Sequence, residues 1–138
     1  MPLRRDAKVE LIRTVPLFSR LSKQALGQVA GIADEIDLPK YTELMREGER
    51  GREFLVLLDG SAEVRKRGRK INTLGAGDFV GEIALVTRSP RTATVTTTSP
   101  IRALVISDRD FATLLKNSPQ VSRGILDALG ERLAGELS

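Results

Sequence analysis

The chain has no cysteine, no histidine and no tryptophan, and its aromatic residues are one tyrosine and four phenylalanines in 138 residues. Without cysteine there is no disulfide framework, which fits a reducing cytoplasm, the expected location. Without histidine the commonest general base and the commonest metal ligand are missing. A zinc site, a Cys–His pair, a Ser–His–Asp triad and a nucleotide hydrolase built on histidine-ligated metals are thereby excluded. Only carboxylate, lysine, arginine, hydroxyl and Tyr41 chemistry remains, so the expectation is a protein that is not an enzyme and carries no metal or cofactor. The scarcity of aromatics speaks against stacking on the bases of a single strand. No apolar run is long enough to span a bilayer. The basic start, Met-Pro-Leu-Arg-Arg-Asp, leads into no apolar signal region, which argues against export.

What is present is an ordinary globular composition, 41% hydrophobic and 29% charged. The length suits one domain with a real core. The net charge of +4 is modest, and acidic residues are interspersed along the chain. A solvated mixed-charge surface accounts for it without a nucleic-acid partner.

The segment of greatest interest is Phe79-Val-Gly-Glu-Ile-Ala-Leu-Val-Thr-Arg-Ser-Pro-Arg-Thr-Ala-Thr-Val95. One compact loop contains a glycine, a carboxylate, a short apolar run with backbone N–H groups, and an arginine. These parts suit a sugar and a phosphate held together. Taken singly, each has an ordinary explanation: Glu82 and Arg91 as an ion pair, Gly-Glu as a turn, Ile83 to Val86 as core. The joint pattern carries the signal.

The segment resembles the phosphate-binding cassette of cyclic-nucleotide-binding domains, the sensor module of catabolite-activator-like regulators, cyclic-nucleotide-dependent kinases and gated channels. The likeness rests on the Gly81-Glu82 pair, Ala84, the Pro90-Arg-Thr-Ala-Thr94 run and the spacing from Glu82 to Arg91. It implies a cyclic nucleotide, cAMP or cGMP, as ligand. Arg91 is then the bidentate phosphate partner, a geometry lysine cannot copy, and Glu82 accepts from the ribose 2′-OH. Gly81 lets the backbone approach the sugar. Ile83 and Ala84 begin a helical turn whose first N–H groups point at the anion. Pro90 sets the backbone before Arg91. Thr92 adds a hydroxyl to the phosphate, or bonds a guanine amino group when the base is syn. That leaves cAMP against cGMP open, with the bacterial look of the chain leaning to cAMP.

Along the rest of the chain, residues 6 to 13 read as a short amphipathic helix. Ser22 looks like the N-cap of a helix with Ala25, Leu26, Val29, Ala30 and Ile32 at helical spacing. From Glu35 to Ile106 short runs follow one another, punctuated by glycine: Glu35–Leu38, Glu43–Arg46, Glu53–Leu58, Ser61–Arg67, Arg69–Leu74, Asp78–Val80, Thr92–Thr98 and Ile101–Ile106. Many short strands with regular turn signals argue for a sandwich or barrel. Asp59-Gly60 and Arg67-Gly68-Arg69 read as hairpin turns. The cluster Arg65-Lys66-Arg67-Gly68-Arg69-Lys70 then falls at a hairpin tip and reads as a solvated, protected strand end. Asp108 looks like the N-cap of a helix with Phe111, Leu114 and Leu115, and Ser118-Pro119 opens the last helix. Ile125, Leu126, Leu129, Leu133 and Leu137 form its apolar stripe.

The resemblance implies a mainly β fold, a jelly-roll β-barrel with flanking N- and C-terminal helices. It gives one domain over residues 1–138, with a helical lead-in at 1–33, the barrel at 34–107, the cassette at 79–95 and C-terminal helices at 108–138. The last helix is open to three roles: packing on the barrel, a homodimer seam, or a lid in which Arg132 covers the base. The family's regulators continue into a DNA-binding domain of about 50 or more residues, for which nothing follows Ser138, so DNA is not an expected partner of this chain, nor is a membrane. The opening Met and the lack of a tag-like tail favour a complete small protein. The expected function is a stand-alone cyclic-nucleotide sensor that signals through its C-terminal helix to a downstream effector protein. The alternatives are a degenerate domain serving as a protein-interaction module, and the sensor part of a regulator that lacks its DNA-binding domain.

Overall fold

The computed structural model describes residues 5–81 and 90–137, with the side chains of 5–6, 128–129 and 132–137 outside the description. Among these residues two helices, α1 (Arg5–Arg13) and α2 (Lys23–Ile32), lead into eight strands. These are β1 (Asp34–Leu38), β2 (Glu43–Met45), β3 (Glu53–Asp59), β4 (Ala62–Lys66), β5 (Arg69–Leu74), β6 (Phe79–Val80), β7 (Thr94–Thr97) and β8 (Ile101–Ser107). Helices α3 (Asp108–Asn117) and α4 (Pro119–Leu137) follow.

The strands form two four-stranded sheets, ordered β1-β8-β3-β6 and β2-β7-β4-β5, with antiparallel pairing throughout. The pairs β1·β8, β2·β7, β3·β6 and β4·β5 are nested, as if the chain doubled back on itself at the β4–β5 turn. Among the described residues no ladder joins the two sheets.

In the middle of the first sheet β3 is buried on both faces, which is why it reads Phe-Leu-Val-Leu without polar alternation. Leu55 and Leu57 face the second sheet and pack with Ala62, Val64, Leu74, Val80 and Val95. Phe54, Val56, Leu104 and Ile106 face the helices and pack with Ile12, Phe18, Leu26, Val29, Phe111 and Ile125. Phe54 joins the layers, its ring 4.7 Å from that of Phe111.

Local chemistry explains the ends of the elements. Ser22 caps α2 as expected, its hydroxyl accepting from Ala25 N at 3.1 Å. The cap of α3 is Ser107, whose Oγ accepts from Asp110 N at 3.2 Å. The expected cap, Asp108, is instead the first helical residue, where its negative charge still suits the helix N-terminus. Ser107 takes the role because β8 runs through it, in register with Glu53, and this fixes its extended backbone. Pro119 opens α4 as expected, and the buried Ser118 ends α3 through its N–H to Leu114 O.

One turn differs from expectation. Asp59-Gly60 is not a hairpin: β3 lies in the first sheet and β4 in the second, so this corner carries the chain between layers. The left-handed backbone of Gly60 (φ +93°) was signalled by its residue type, but its partner strands were not. Arg67-Gly68 does close the β4–β5 hairpin, with φ of +55° and +76°, the pairing that a type I′ turn needs.

Candidate functional site

The site is built around Gly81 and Arg91. Strand β6 pairs with β3 at Val80↔Leu55 and Phe79↔Val56, which brings Gly81 beside the start of β3. Gly81 has φ +101°, and a Cβ there would lie 2.6 Å from the Glu53 carbonyl oxygen and 2.8 Å from Arg91 Nη1. Backbone conformation and space both demand glycine.

Arg91 reaches this point from the other side. Its Nη1 donates to Gly81 O at 3.0 Å and its Nη2 to Glu53 O at 2.7 Å. The side chain therefore clasps the end of β6 to the start of β3. Its own backbone is held by the β2–β3 loop: Arg91 N donates to Glu49 O at 2.7 Å, and Gly48 N donates to Arg91 O at 2.9 Å. Pro90 bridges to Arg50 in the same short ladder. The residue is 7% exposed. A buried guanidinium must be hydrogen-bonded, and the two carbonyls meet that need while fixing the plane of the group. Beside it opens a cavity of about 440 Å³, bordered by Leu44 and Met45 and by Arg50, Arg52 and Glu53.

Of the residues expected at the site, Gly81 and Arg91 are brought into direct contact. Thr92 follows Arg91 and is exposed. Glu82, Ile83 and Ala84 lie outside the described residues. The backbone at Arg132 belongs to α4, and its side chain lies outside the description. The contributions of Gly48, Glu49 and Glu53 were not foreseen. They act through backbone groups, which leave no mark on side-chain type; Gly48, with φ +88°, is the one residue whose identity hinted at a shaped loop.

The site also connects to the C-terminal helices. Glu53 pairs in register with Ser107, the cap of α3, and Asp108 N donates to Arg52 O at 2.8 Å. The strand start that Arg91 grips is thus bonded to the helix start that follows β8.

A family model for the cyclic nucleotide-binding domain matches residues 35–118. The cAMP-dependent protein kinase regulatory subunit of Mycosarcoma maydis is 36% identical over 124 residues, covering 81% of this chain and 23% of that protein. A cyclic nucleotide-gated potassium channel of Rhizobium etli is 31% identical over 126 residues, covering 91% of this chain and 35% of that protein. The chain thus spans about a quarter to a third of the length of these two relatives. The crystal structure of the Thermus thermophilus catabolite activator protein superposes with a TM-score of 0.80 at 21% identity, over 88% of this chain and 59% of that one, a likeness of fold. With the family match running from β1 to the end of α3, the chain belongs to the cyclic nucleotide-binding domain family.

Proposed function

We propose that this domain binds a cyclic nucleoside monophosphate, cAMP or cGMP, with Arg91 on the phosphate and Glu82 on the ribose 2′-OH, and that it acts as a cytoplasmic regulatory sensor and not as a catalyst. The observation that carries the reading is the placement of Arg91. Its buried guanidinium is fixed by the Gly81 and Glu53 carbonyls at the point where the segment 82–89 begins. A preset guanidinium offers bidentate recognition with little ordering cost. The nested strand order supports a jelly roll as the scaffold.

Signalling follows from the same bonds. A phosphate on Arg91 adds charge-assisted bonds to the guanidinium that holds the Gly81 and Glu53 carbonyls, and so pulls on both. The Glu53–Ser107 pairing and the Arg52–Asp108 bond carry that change to the start of α3, and Ser118 carries it into α4. The ligand shifts the helices only as far as it prefers one arrangement over the other.

Calorimetry of the whole chain with cAMP and with cGMP tests the proposal. Saturable binding of at least one, lost in Arg91→Ala, is expected, with no turnover of the bound nucleotide. Absence of binding to both would leave a domain that contacts only a protein partner.

A further inference from the structure

The β4–β5 hairpin is the part of the sheet pair that the body of the domain does not cover. Arg69, Lys70, Ile71, Asn72 and Thr73 are exposed in succession, on both faces of β5, whereas β4 opposite buries Ala62 and Val64. The ladder skips one residue. Val64 faces Asn72 and Arg65 faces Lys70, which leaves Ile71 as the extra residue of a β-bulge. A bulge re-aims its side chain, and Ile71 stands 53% exposed.

Around it are Lys66, Arg67, Arg69 and Lys70, all exposed. Among the described residues, none of these four side chains has a hydrogen-bond or ion-pair partner. Arg65 is the exception, held by Glu63 and by the Gly68 carbonyl. The tip is ordered: it turns on Arg67-Gly68, and Arg67 N donates to Glu47 Oε1 at 2.8 Å.

Protection of a sheet edge explains the cations. It does not explain an apolar side chain turned outward among them, where a charge would protect better. Four unpaired cations around one exposed isoleucine fit an anionic lipid surface, which offers phosphates to the cations and an apolar boundary to the isoleucine. A DNA duplex offers the phosphates only, and the hairpin has no aromatic to stack on a base. No described helix is long and apolar enough to cross a membrane.

We propose that the β4–β5 hairpin docks this domain reversibly on anionic membrane surfaces, with Lys66, Arg67, Arg69 and Lys70 on headgroups and Ile71 in the headgroup–acyl boundary.

The test is cosedimentation of the whole chain with vesicles of phosphatidylcholine alone, and with vesicles of equal parts phosphatidylcholine and phosphatidylserine. Binding is expected to the second only, weakening as salt is raised. At about five-fold per cation, the double variant Lys66→Gln/Lys70→Gln loses about 25-fold in affinity. Ile71→Ser loses affinity several-fold and keeps the salt dependence of the wild type. Thermal melts confirm that both surface variants stay folded. The proposal is overturned by binding to neither vesicle, by equal binding to both, or by unchanged affinity in either variant. Binding to a DNA duplex in preference to vesicles, indifferent to Ile71→Ser, would assign the hairpin to nucleic acid and also overturn it.

Discussion

Arg91 Nη1 lies 3.0 Å from the Gly81 carbonyl oxygen, and a Cβ on Gly81 would come within 2.8 Å of that same nitrogen. The two residues form one device: the missing side chain of one makes room for the guanidinium of the other. The arginine is therefore both a strand clasp and the candidate ligand anchor, and changes at either residue act on stability and binding together.

Arg91→Ala separates these roles by magnitude. Removing a desolvated bidentate phosphate partner costs roughly 2–5 kcal/mol of binding, a loss of about thirty-fold or more. The same change removes two hydrogen bonds, to the part-buried Gly81 and Glu53 carbonyls, at about 1 kcal/mol of stability each. A folded protein with a lowered Tm and severely weakened nucleotide binding is expected by calorimetry and thermal melt. Lysine at 91 restores part of the binding. Unchanged affinity in Arg91→Ala would remove Arg91 from the phosphate.

Gly81→Ala tests whether the fit is steric as well as conformational. The new Cβ meets a backbone oxygen at 2.6 Å, which has little room to yield, in a residue with φ +101°. Gly68→Ala is the control: its φ is +76° but nothing lies within 4 Å of the added atom. Both variants carry the left-handed strain, about 1 kcal/mol or more. Only Gly81→Ala adds the clash, so it should unfold at clearly lower denaturant and bind nucleotide more weakly. Equal midpoints for the two would mean that the clasp has slack.

The adjacent cap candidates give a third test. Ser107→Ala removes the bond to Asp110 N and should cost about 1 kcal/mol, whereas Asp108→Ala removes a charge from the first turn and should cost a few tenths to 1 kcal/mol. Denaturant midpoints with unchanged slopes decide the order. The reverse order would return the cap to Asp108.

These cases show what kind of information sequence holds. Strand positions were legible because glycines punctuate the runs: the observed Arg69–Leu74 coincides with the expected run, and β1, β3 and β8 differ from theirs by a residue at an end. The expected Thr92–Thr98 shortens to Thr94–Thr97 because Arg91 is tied to the β2–β3 loop. Asp59-Gly60 was legible as a sharp turn but not as a change of sheet, since turn residues report φ and not the next strand's partner. Ser107 and Asp108 are both good caps by type, and only the β8 register chooses between them. At the candidate site, Arg91 and Gly81 stood out by residue type, one for its guanidinium and the other for its missing side chain, and the structure puts them in contact. The carbonyls of Glu49 and Glu53 were not, because every residue has one.

Hydrogen exchange with and without nucleotide tests signalling through the last helix. The apolar stripe alone suggests that α4 can redock along its whole length, but its first turns are anchored. Val121 and Ile125 are fully buried in the helical core, and a Cβ on Gly124 would lie 3.0 Å from Leu17 Cδ1, so the first turns are packed tightly. Beyond them Leu126 is 63% exposed. Segments with few buried contacts open at low cost, whereas packed ones open only with the core. Nucleotide should therefore raise protection over residues 81–92 and change it at Ser107–Asp108 and from Leu126 to Leu137, leaving residues 119–125 and the sheets nearly unchanged. Equal changes along all of α4 would mean that the helix moves as one body against Leu17. Identical exchange throughout α4 in both states would end the proposal of signalling through this helix, even with nucleotide binding intact.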